Sequence, residues 1–153
     1  MMRRVVVALL FVLAASCGGG SSSPSAPPPS MADVSDIHVF AASVEPGTGA
    51  VAQVVADLHN AADAKDALVS VSCSCGGTAA LYEEGTTKPT SSIALPPQKV
   101  VLFGPKGARI QLTDLAQPLS SLTTVDLTFS FAHAAPTTAT AAIQGPGSPS
   151  PTT

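Results

Sequence analysis

The sequence contains no tryptophan, and among its 153 residues aromatic side chains make up 4% and charged side chains 11%. This composition excludes a coiled coil and a highly charged disordered protein, both of which need far more charged residues. Seven basic residues against ten acidic ones also exclude a basic nucleic-acid-binding protein. The methionines lie only at Met1, Met2 and Met31. The chain after residue 31 therefore offers no thioether ligand for a metal.

The N-terminus has the layout of a secretory signal. Arg3 and Arg4 precede an apolar run over residues 5–15, which is shorter than the roughly 20 helical residues that span a bilayer. The run ends in Leu13-Ala14-Ala15-Ser16-Cys17, which resembles a bacterial lipobox, in which the cysteine is diacylated and becomes the new N-terminus. We predict a lipoprotein signal peptide over residues 1–16. The alternative is an ordinary signal peptide that leaves Cys17 as a free thiol.

The residues after the signal predict a tether. Residues 17–32 are rich in Gly, Ser and Pro, a composition that gives a flexible piece followed by a stiffer polyproline piece. Acylation with two or more chains, such as palmitate, makes a stable anchor where one chain is marginal. Loss of Arg3 and Arg4 leaves five basic residues against ten acidic ones, a net charge of −5. We therefore expect the lipid on Cys17 to supply the membrane affinity. The predicted location is the cell membrane, facing the periplasm or the cell exterior, without a nucleic-acid partner.

Residues 33–144 read as a series of short strands separated by Gly, Pro, Asn and Asp clusters. In the clearest strand, Val125, Leu127, Phe129 and Phe131 alternate with polar residues, which predicts one buried and one wet face. Weaker alternations occur at Ile37 to Ala42, Ala52 to His59, Ala67 to Cys73, Thr78 to Glu83, Lys99 to Phe103, Ala108 to Leu112 and Thr138 to Ile143. We predict an all-β domain, an antiparallel Greek-key β-sandwich of immunoglobulin or cupredoxin type with seven to eight strands. One helical turn is expected near residues 115–120 and a disordered tail over 145–153.

Five segments of this domain occur in an order that resembles a known family. Ala50 to Asn60 resembles a strand that ends in an Asn turn, and Asp66 to Ser72 resembles the strand that follows it. Thr78 to Glu84 resembles a strand that carries a histidine, and Ile93 to Pro97 resembles a proline turn. Gly107 to Leu119 resembles a His-x-Met strand with the loop after it. The order is similar to that of the PCuAC-type periplasmic copper chaperones, small secreted β-sandwiches that carry Cu(I).

The resemblance implies a copper site of two histidines and two methionines, because soft thioether ligands suit Cu(I). Matched to this sequence, Tyr82 falls at the first histidine, Arg109 at the second and Gln111 at the final methionine. The loop over residues 85–92 contains no methionine. Arg109 places a permanent positive charge where a cation would sit. We therefore predict the fold of the copper chaperones without their copper site, and no resident cofactor.

Cys73 and Cys75 are the other candidate site. On an extended strand, residues i and i+2 share a face with their Cα atoms about 6.6 Å apart, so two thiolates would form a soft ligand pair. A disulfide would need a local bend, which Gly76 and Gly77 could permit. Three interpretations stay open: a structural disulfide, cysteines that are reduced or bonded to another chain without a role, and a metal site.

The sequence contains no motif that indicates an enzyme. It has neither a nucleophile elbow nor a phosphate loop. His38 and His59 lie on strands that could be neighbours and His133 ends the strongest strand, but no two histidines have a ligand-like spacing. We predict a non-enzymatic binding or accessory module with a protein partner in the envelope. The alternative is a chaperone for Cu(I) or another soft metal that uses Cys73 and Cys75.

Overall fold

The computed structural model describes residues 36–145, which form nine β-strands and one short 3-10 helix. The strands are β1 (Ile37–Pro46), β2 (Ala52–Asn60), β3 (Asp66–Cys73), β4 (Thr78–Tyr82), β5 (Ile93–Leu95), β6 (Lys99–Phe103), β7 (Arg109–Thr113), β8 (Thr124–Phe131) and β9 (Thr137–Ile143). The 3-10 helix spans Leu119–Ser121, before β8. The predicted signal peptide, Cys17, the tether and all of the predicted tail beyond residue 145 lie outside the described residues.

The strands form one mixed sheet that nearly closes on itself. The pairing order is β4-β7-β2-β1-β9-β8-β3-β5, and β6 pairs with β2 beyond the end of β7. All pairs are antiparallel except β1 with β9, which run parallel over Ser43↔Ala142 and Val44↔Ile143. β3 also contacts β4, and β5 contacts β2 and β6. The two ends of the strand path therefore lie against each other, which gives a barrel-like β structure.

The all-β prediction is confirmed, but the architecture differs from the predicted antiparallel sandwich of seven to eight strands. All eight predicted strands are present, with ends shifted by up to four residues. The ninth strand, β5, is only three residues long and precedes Pro96 and Pro97, so its sequence reads as a turn. The parallel β1–β9 pair joins two distant segments of the chain, and no local pattern encodes such a contact. The helical turn predicted over residues 115–120 is instead a 3-10 turn at Leu119–Ser121, so only its last two residues coincide with the structure.

The core is built mainly from aliphatic side chains. Strict alternation along β2 buries Ala52, Val54, Ala56 and Leu58. The predicted face of β8 is confirmed, because its four alternating apolar residues are all buried. Phe103 and Phe129 are the largest fully buried side chains in the described residues. Few aromatic residues therefore suffice, because Val, Leu, Ile and Ala fill the remaining interior.

A β-bulge in β1 sets which of its residues face the core. The register with β2 shifts between Phe40 and Ser43, and Ala41 within the bulge has a φ of 49°. Before the bulge, Ile37 is buried and Phe40 is 53% exposed. After it, Val44 is fully buried. Phe40 is thus a surface residue, and the extra residue allows both halves of β1 to bury apolar side chains.

Candidate functional site

The three positions that the family resemblance matches to copper ligands lie on adjacent strands. β4 and β7 run antiparallel with Tyr82 opposite Arg109. Ile110 and Leu112 of β7 are buried in the core. Because side chains alternate along a strand, Arg109 and Gln111 project from the opposite face. The structure therefore brings Tyr82, Arg109 and Gln111 together on the outer face of the sheet.

Direct contacts connect these three side chains. The guanidinium carbon of Arg109 lies 5.1 Å from the centroid of the Tyr82 ring, within the range of a cation–π interaction. The Tyr82 hydroxyl donates a hydrogen bond of 3.3 Å to Oε1 of Gln111. The Arg109 guanidinium also donates to the backbone carbonyl of Thr86. The ring and the carbonyl thus hold the guanidinium in a fixed orientation.

A fourth side chain, Gln53, belongs to this cluster and has no counterpart in the sequence-based prediction. Gln53 lies on β2 directly opposite Gln111 of β7. Its Nε2 atom is buried, and within residues 36–145 it has no hydrogen-bond partner. Gln53 lies between the buried Ala52 and Val54, and this alternation indicates only that its side chain points away from the core. The residues next to Gln53 on the neighbouring strands depend on the strand register, which the sequence pattern does not predict.

These side chains surround one cavity, which we call the Arg109 cavity. Its volume is about 240 Å³, and its lining includes Gly47, Thr48, Gln53, Tyr82, Arg109 and Gln111. Gly47 and Thr48 belong to the connection between β1 and β2. The cavity is therefore formed by β2, β4 and β7 and bordered by a loop, and its lining also includes the apolar Val51 and Ala52.

The fixed charge in the Arg109 cavity is positive. Among residues 36–145 the only ion pair joins Asp66 and His133, so the Arg109 guanidinium has no carboxylate partner in the described part of the chain. Glu45 of β1 lies opposite Gln53 in the strand register but does not line the cavity. Because a guanidinium stays protonated at all physiological pH values, the cavity carries a permanent cation.

The described residues do not assemble a metal site. Across residues 36–145, no group of three or more His, Cys, Asp and Glu side chains is arranged to hold a metal ion. Tyr82, Arg109 and Gln111 provide a phenol, a guanidinium and an amide, none of which is a soft ligand for Cu(I). The residues in the Arg109 cavity therefore do not fit a copper ion.

The two cysteines at the end of β3 are joined to each other. The structure has a Cys73–Cys75 disulfide with the Cα atoms 5.0 Å apart. The chain bends sharply there, because Gly76 and Gly77 have φ values of 75° and 91°, a conformation that glycine adopts without a steric penalty. Cys75 is fully buried. In this form neither sulfur is a thiolate, so metal binding by the pair would require its reduction.

The histidines lie in two separate places. The strands of His38 and His59 are neighbours, and the two residues lie directly opposite each other on β1 and β2. Their ring centroids are 6.4 Å apart on the outer face, beside the exposed Phe40. His133 follows β8 and contacts Asp66 instead. The structure therefore brings no histidine to the Arg109 cavity or to the cysteine pair.

Residues 32–143 match the model of a protein family described as "Putative lipoprotein LpqE-like". No curated protein is significantly similar to the chain in sequence. No helical segment within residues 36–145 has the length and apolar character that crossing a membrane requires.

Several solved structures share the fold. The apo PCuAC domain from PmoF1 is 27% identical with a TM-score of 0.67, covering 74% of this chain and 98% of the solved one. The copper-bound PCuAC domain from PmoF2 is 22% identical with a TM-score of 0.64, covering 72% and 94%. The solution structure of apo-DR1885 from Deinococcus radiodurans is 16% identical with a TM-score of 0.55, covering 91% and 98%. The predicted resemblance to PCuAC domains is thereby confirmed for the fold.

Proposed function

The chain belongs to the LpqE-like lipoprotein family, and on this basis we propose that it is a membrane-anchored extracytoplasmic lipoprotein with a non-enzymatic binding domain. In this proposal Cys17 carries the lipid, residues 17–32 form the tether, and residues 33–144 form the functional unit. The domain has the PCuAC fold but does not transport copper. It acts instead as a binding or accessory module for a partner in the cell envelope.

One observation carries this proposal: the Arg109 guanidinium, packed over the Tyr82 ring, occupies the place that the resemblance matches to a copper ligand. A fixed cation repels a second cation in a site of reduced dielectric constant. Gln111 replaces the soft thioether of the His-x-Met pattern with an amide whose oxygen already accepts a hydrogen bond from Tyr82. Both changes disfavour copper at this position while keeping polar groups available for another ligand.

The loss of copper binding is tested by competition with a chromophoric Cu(I) chelator. We expect the purified full-length chain, with its disulfide intact, to take no copper from the chelator. The double variant Arg109→His, Gln111→Met rebuilds a His-x-Met pair and should gain measurable affinity. Transfer of one equivalent of Cu(I) to the wild-type chain with its disulfide intact would contradict the proposal.

The alternative function is soft-metal binding by the reduced cysteine pair. Cys73 and Cys75 become candidate ligands only after their disulfide is reduced. If the reduced full-length chain binds one equivalent of Cu(I) and Cys73→Ser abolishes binding, the alternative replaces the proposal. A thiol count that shows both cysteines oxidised in protein taken from cells, with no competition against the chelator, would remove it.

The membrane anchor is tested separately from the ligand. We expect the wild-type chain to fractionate with membranes and Cys17→Ala to release it. The variant Cys73→Ala provides a matched control, because it removes a cysteine without removing the proposed acylation site. Unchanged membrane fractionation of Cys17→Ala would show that the chain is held at the membrane by something other than this lipid.

A further inference from the structure

We propose that the Arg109 cavity is a recognition site for a carboxylate group. The inference rests on the proposed function, which it deepens by naming the chemical class that the binding module recognises. Two unused groups carry it: a guanidinium without a carboxylate partner in the described part of the chain, and the buried, unpaired Nε2 of Gln53. The two residues line the same cavity, and both groups can only donate hydrogen bonds.

The Arg109 side chain is already positioned for an anion. A guanidinium has five N–H donors in a planar fork, which matches the two oxygens of a carboxylate. One part of this fork donates to the Thr86 carbonyl, and the Tyr82 ring supports its face. The remaining N–H groups have no acceptor among residues 36–145. A carboxylate would supply both the missing acceptors and the missing counter-charge.

The unpaired amide of Gln53 is a second, independent indication that the Arg109 cavity binds a ligand. A buried N–H group without a partner is unfavourable, and such groups are rare in folded proteins. The amide of Gln53 lies opposite Gln111 on the neighbouring strand, and the oxygen of Gln111 is already engaged by the Tyr82 hydroxyl. Nε2 is closed off from solvent in this conformation, so the Gln53 amide, whose residue lines the cavity, must rotate toward the cavity for a ligand's acceptor atom to satisfy it.

The size of the cavity limits the ligand. Its volume of about 240 Å³ is below the roughly 300 to 1,000 Å³ of sites that enclose drug-sized molecules. The site therefore admits a small carboxylic acid or the carboxylate end of a larger molecule, such as the C-terminus of a polypeptide. These two sources share the same chemistry at Arg109, and the experiment separates them.

The sequence provides a direct optical probe for this test. Tyr82 is the only tyrosine of the chain, which has no tryptophan, so tyrosine fluorescence reports on the Arg109 cavity alone. The purified full-length chain in detergent is titrated with sodium succinate at constant ionic strength, with sodium chloride as the blank. We expect a saturable change in Tyr82 emission with succinate and none with chloride. If neither succinate nor a Gly-Gly-Ala tripeptide with a free C-terminus causes a saturable change, the proposal is overturned.

Variants assign the response to the two donors. Arg109→Gln should weaken succinate binding about tenfold or more, because it removes a charge-assisted pair of hydrogen bonds. Lys106→Gln removes the same charge from an exposed position outside the cavity and should leave affinity unchanged. Gln53→Leu should weaken binding severalfold while the fold stays intact, which keeps the test valid if Arg109→Gln is unstable. Equal affinities for wild type, Arg109→Gln and Gln53→Leu would contradict the assignment.

A pair of peptides distinguishes the two sources of carboxylate. A tripeptide of two glycines and an alanine is titrated with a free C-terminus and as its amide. Tighter binding of the free peptide than of succinate, with no binding of the amide, identifies a polypeptide terminus. Equal or tighter binding of succinate identifies a small acid. Cu(I) added to the same sample reports on the proposed function independently, because copper bound in the cavity would also change Tyr82 emission.

Discussion

Asp66 and His133 are joined by two hydrogen bonds, one from the imidazole and one from the backbone. Nδ1 of His133 lies 3.2 Å from Oδ1 of Asp66, and the His133 N–H donates to the same oxygen at 3.0 Å. The N–H groups of Ala67 and Ala134 also donate to this carboxylate, at 2.7 and 2.8 Å. One side chain at the start of β3 therefore organises the turn between β8 and β9.

These hydrogen bonds make the free energy of unfolding depend on pH in the acid range. Burial raises the pKa of the Asp66 carboxyl, but the hydrogen bonds that it accepts lower the pKa by more, so the net pKa lies below 3.8. A lowered carboxyl pKa stabilises the fold in full above the unfolded value near 3.8. That stabilisation is lost as pH falls through the folded pKa. We expect the free energy of unfolding to decrease on acidification below about pH 4.

Asp66→Asn tests the contribution directly. The amide keeps one acceptor oxygen but loses the charge, so we expect a loss of about 1 to 2 kcal/mol in the free energy of unfolding at pH 7. At pH 2 the difference from wild type should shrink, because the stabilisation by the Asp66 charge is lost as pH falls below the unfolded value toward the folded pKa. Urea unfolding at both pH values measures it, and Asp36→Asn on the exposed surface is the control. A difference independent of pH would contradict the role of the Asp66 charge.

Asn60 is a buried polar side chain with all of its main hydrogen bonds formed. Its Nδ2 donates to the carbonyls of Ala64 and Leu95, both at 2.9 Å, and its Oδ1 accepts from the Ala62 N–H at 3.0 Å. Asn60→Ala should reduce the free energy of unfolding by about 2 to 3 kcal/mol, near 1 kcal/mol for each lost hydrogen bond.

Asn60→Asp distinguishes hydrogen bonding from simple loss of packing. Aspartate has nearly the same shape, but it directs a carboxylate at two carbonyl oxygens in a buried site. We expect it to be at least as destabilising as Asn60→Ala at neutral pH in urea unfolding. Wild-type stability of Asn60→Asp would show that these two donated bonds contribute little.

Gly77 is required for steric reasons as well as for its backbone conformation. Its φ is 91°, and a Cβ atom at this position would collide with the carbonyl oxygen of Thr113. Gly49 has a φ of 73° but no atom within 4 Å of the same hypothetical Cβ. We expect Gly77→Ala to lower the free energy of unfolding by more than about 2 kcal/mol, and Gly49→Ala by about 1 kcal/mol. Thermal and urea unfolding compare them, and equal effects would exclude the predicted collision.

The Cys73–Cys75 disulfide should contribute only modestly to stability. The bonded residues are separated by two positions, and the loop-entropy model gives about 1.5 kcal/mol for so short a loop. We expect the full-length chain to stay folded when the Cys73–Cys75 disulfide is reduced, with a small decrease in the free energy of unfolding. In the reduced chain, the buried Cys75 should react with thiol reagents more slowly than Cys73. Global unfolding on reduction would contradict this estimate.

Local patterns were sufficient to predict the strands and much of the core. The alternation in β8 identified its buried face correctly because each residue's direction depends only on its place in the strand. The parallel contact of Val44 with Ile143 could not be predicted in the same way. It joins residues about a hundred positions apart, and many strand orders bury the same faces equally well.

The candidate site was partly predictable for a related reason. The order of segments indicated Tyr82, Arg109 and Gln111 only as positions where the family's copper ligands are replaced, and the register of β4 with β7 brings them into contact. Gln53 was missed because its sequence context resembles that of any outward-facing strand residue. Its importance depends on its neighbour on β7 and on a buried nitrogen without a partner, and both are properties of the assembled sheet.

The substitution Gln53→Leu should therefore raise the stability of the ligand-free protein and weaken ligand binding. Its buried Nε2 has no acceptor in the described part of the chain, so the wild-type protein carries a desolvation penalty that Gln53→Leu removes. We expect this variant to gain up to about 1 kcal/mol in the free energy of unfolding without ligand. Gln111→Leu is the matched control, because the same change there breaks the hydrogen bond from Tyr82 and should not stabilise the protein.

Unfolding in saturating succinate should reduce or reverse the advantage of Gln53→Leu, since a ligand stabilises the state that binds it more tightly. If Gln53→Leu lowers stability without succinate, the amide has a structural role and not the role of a ligand donor.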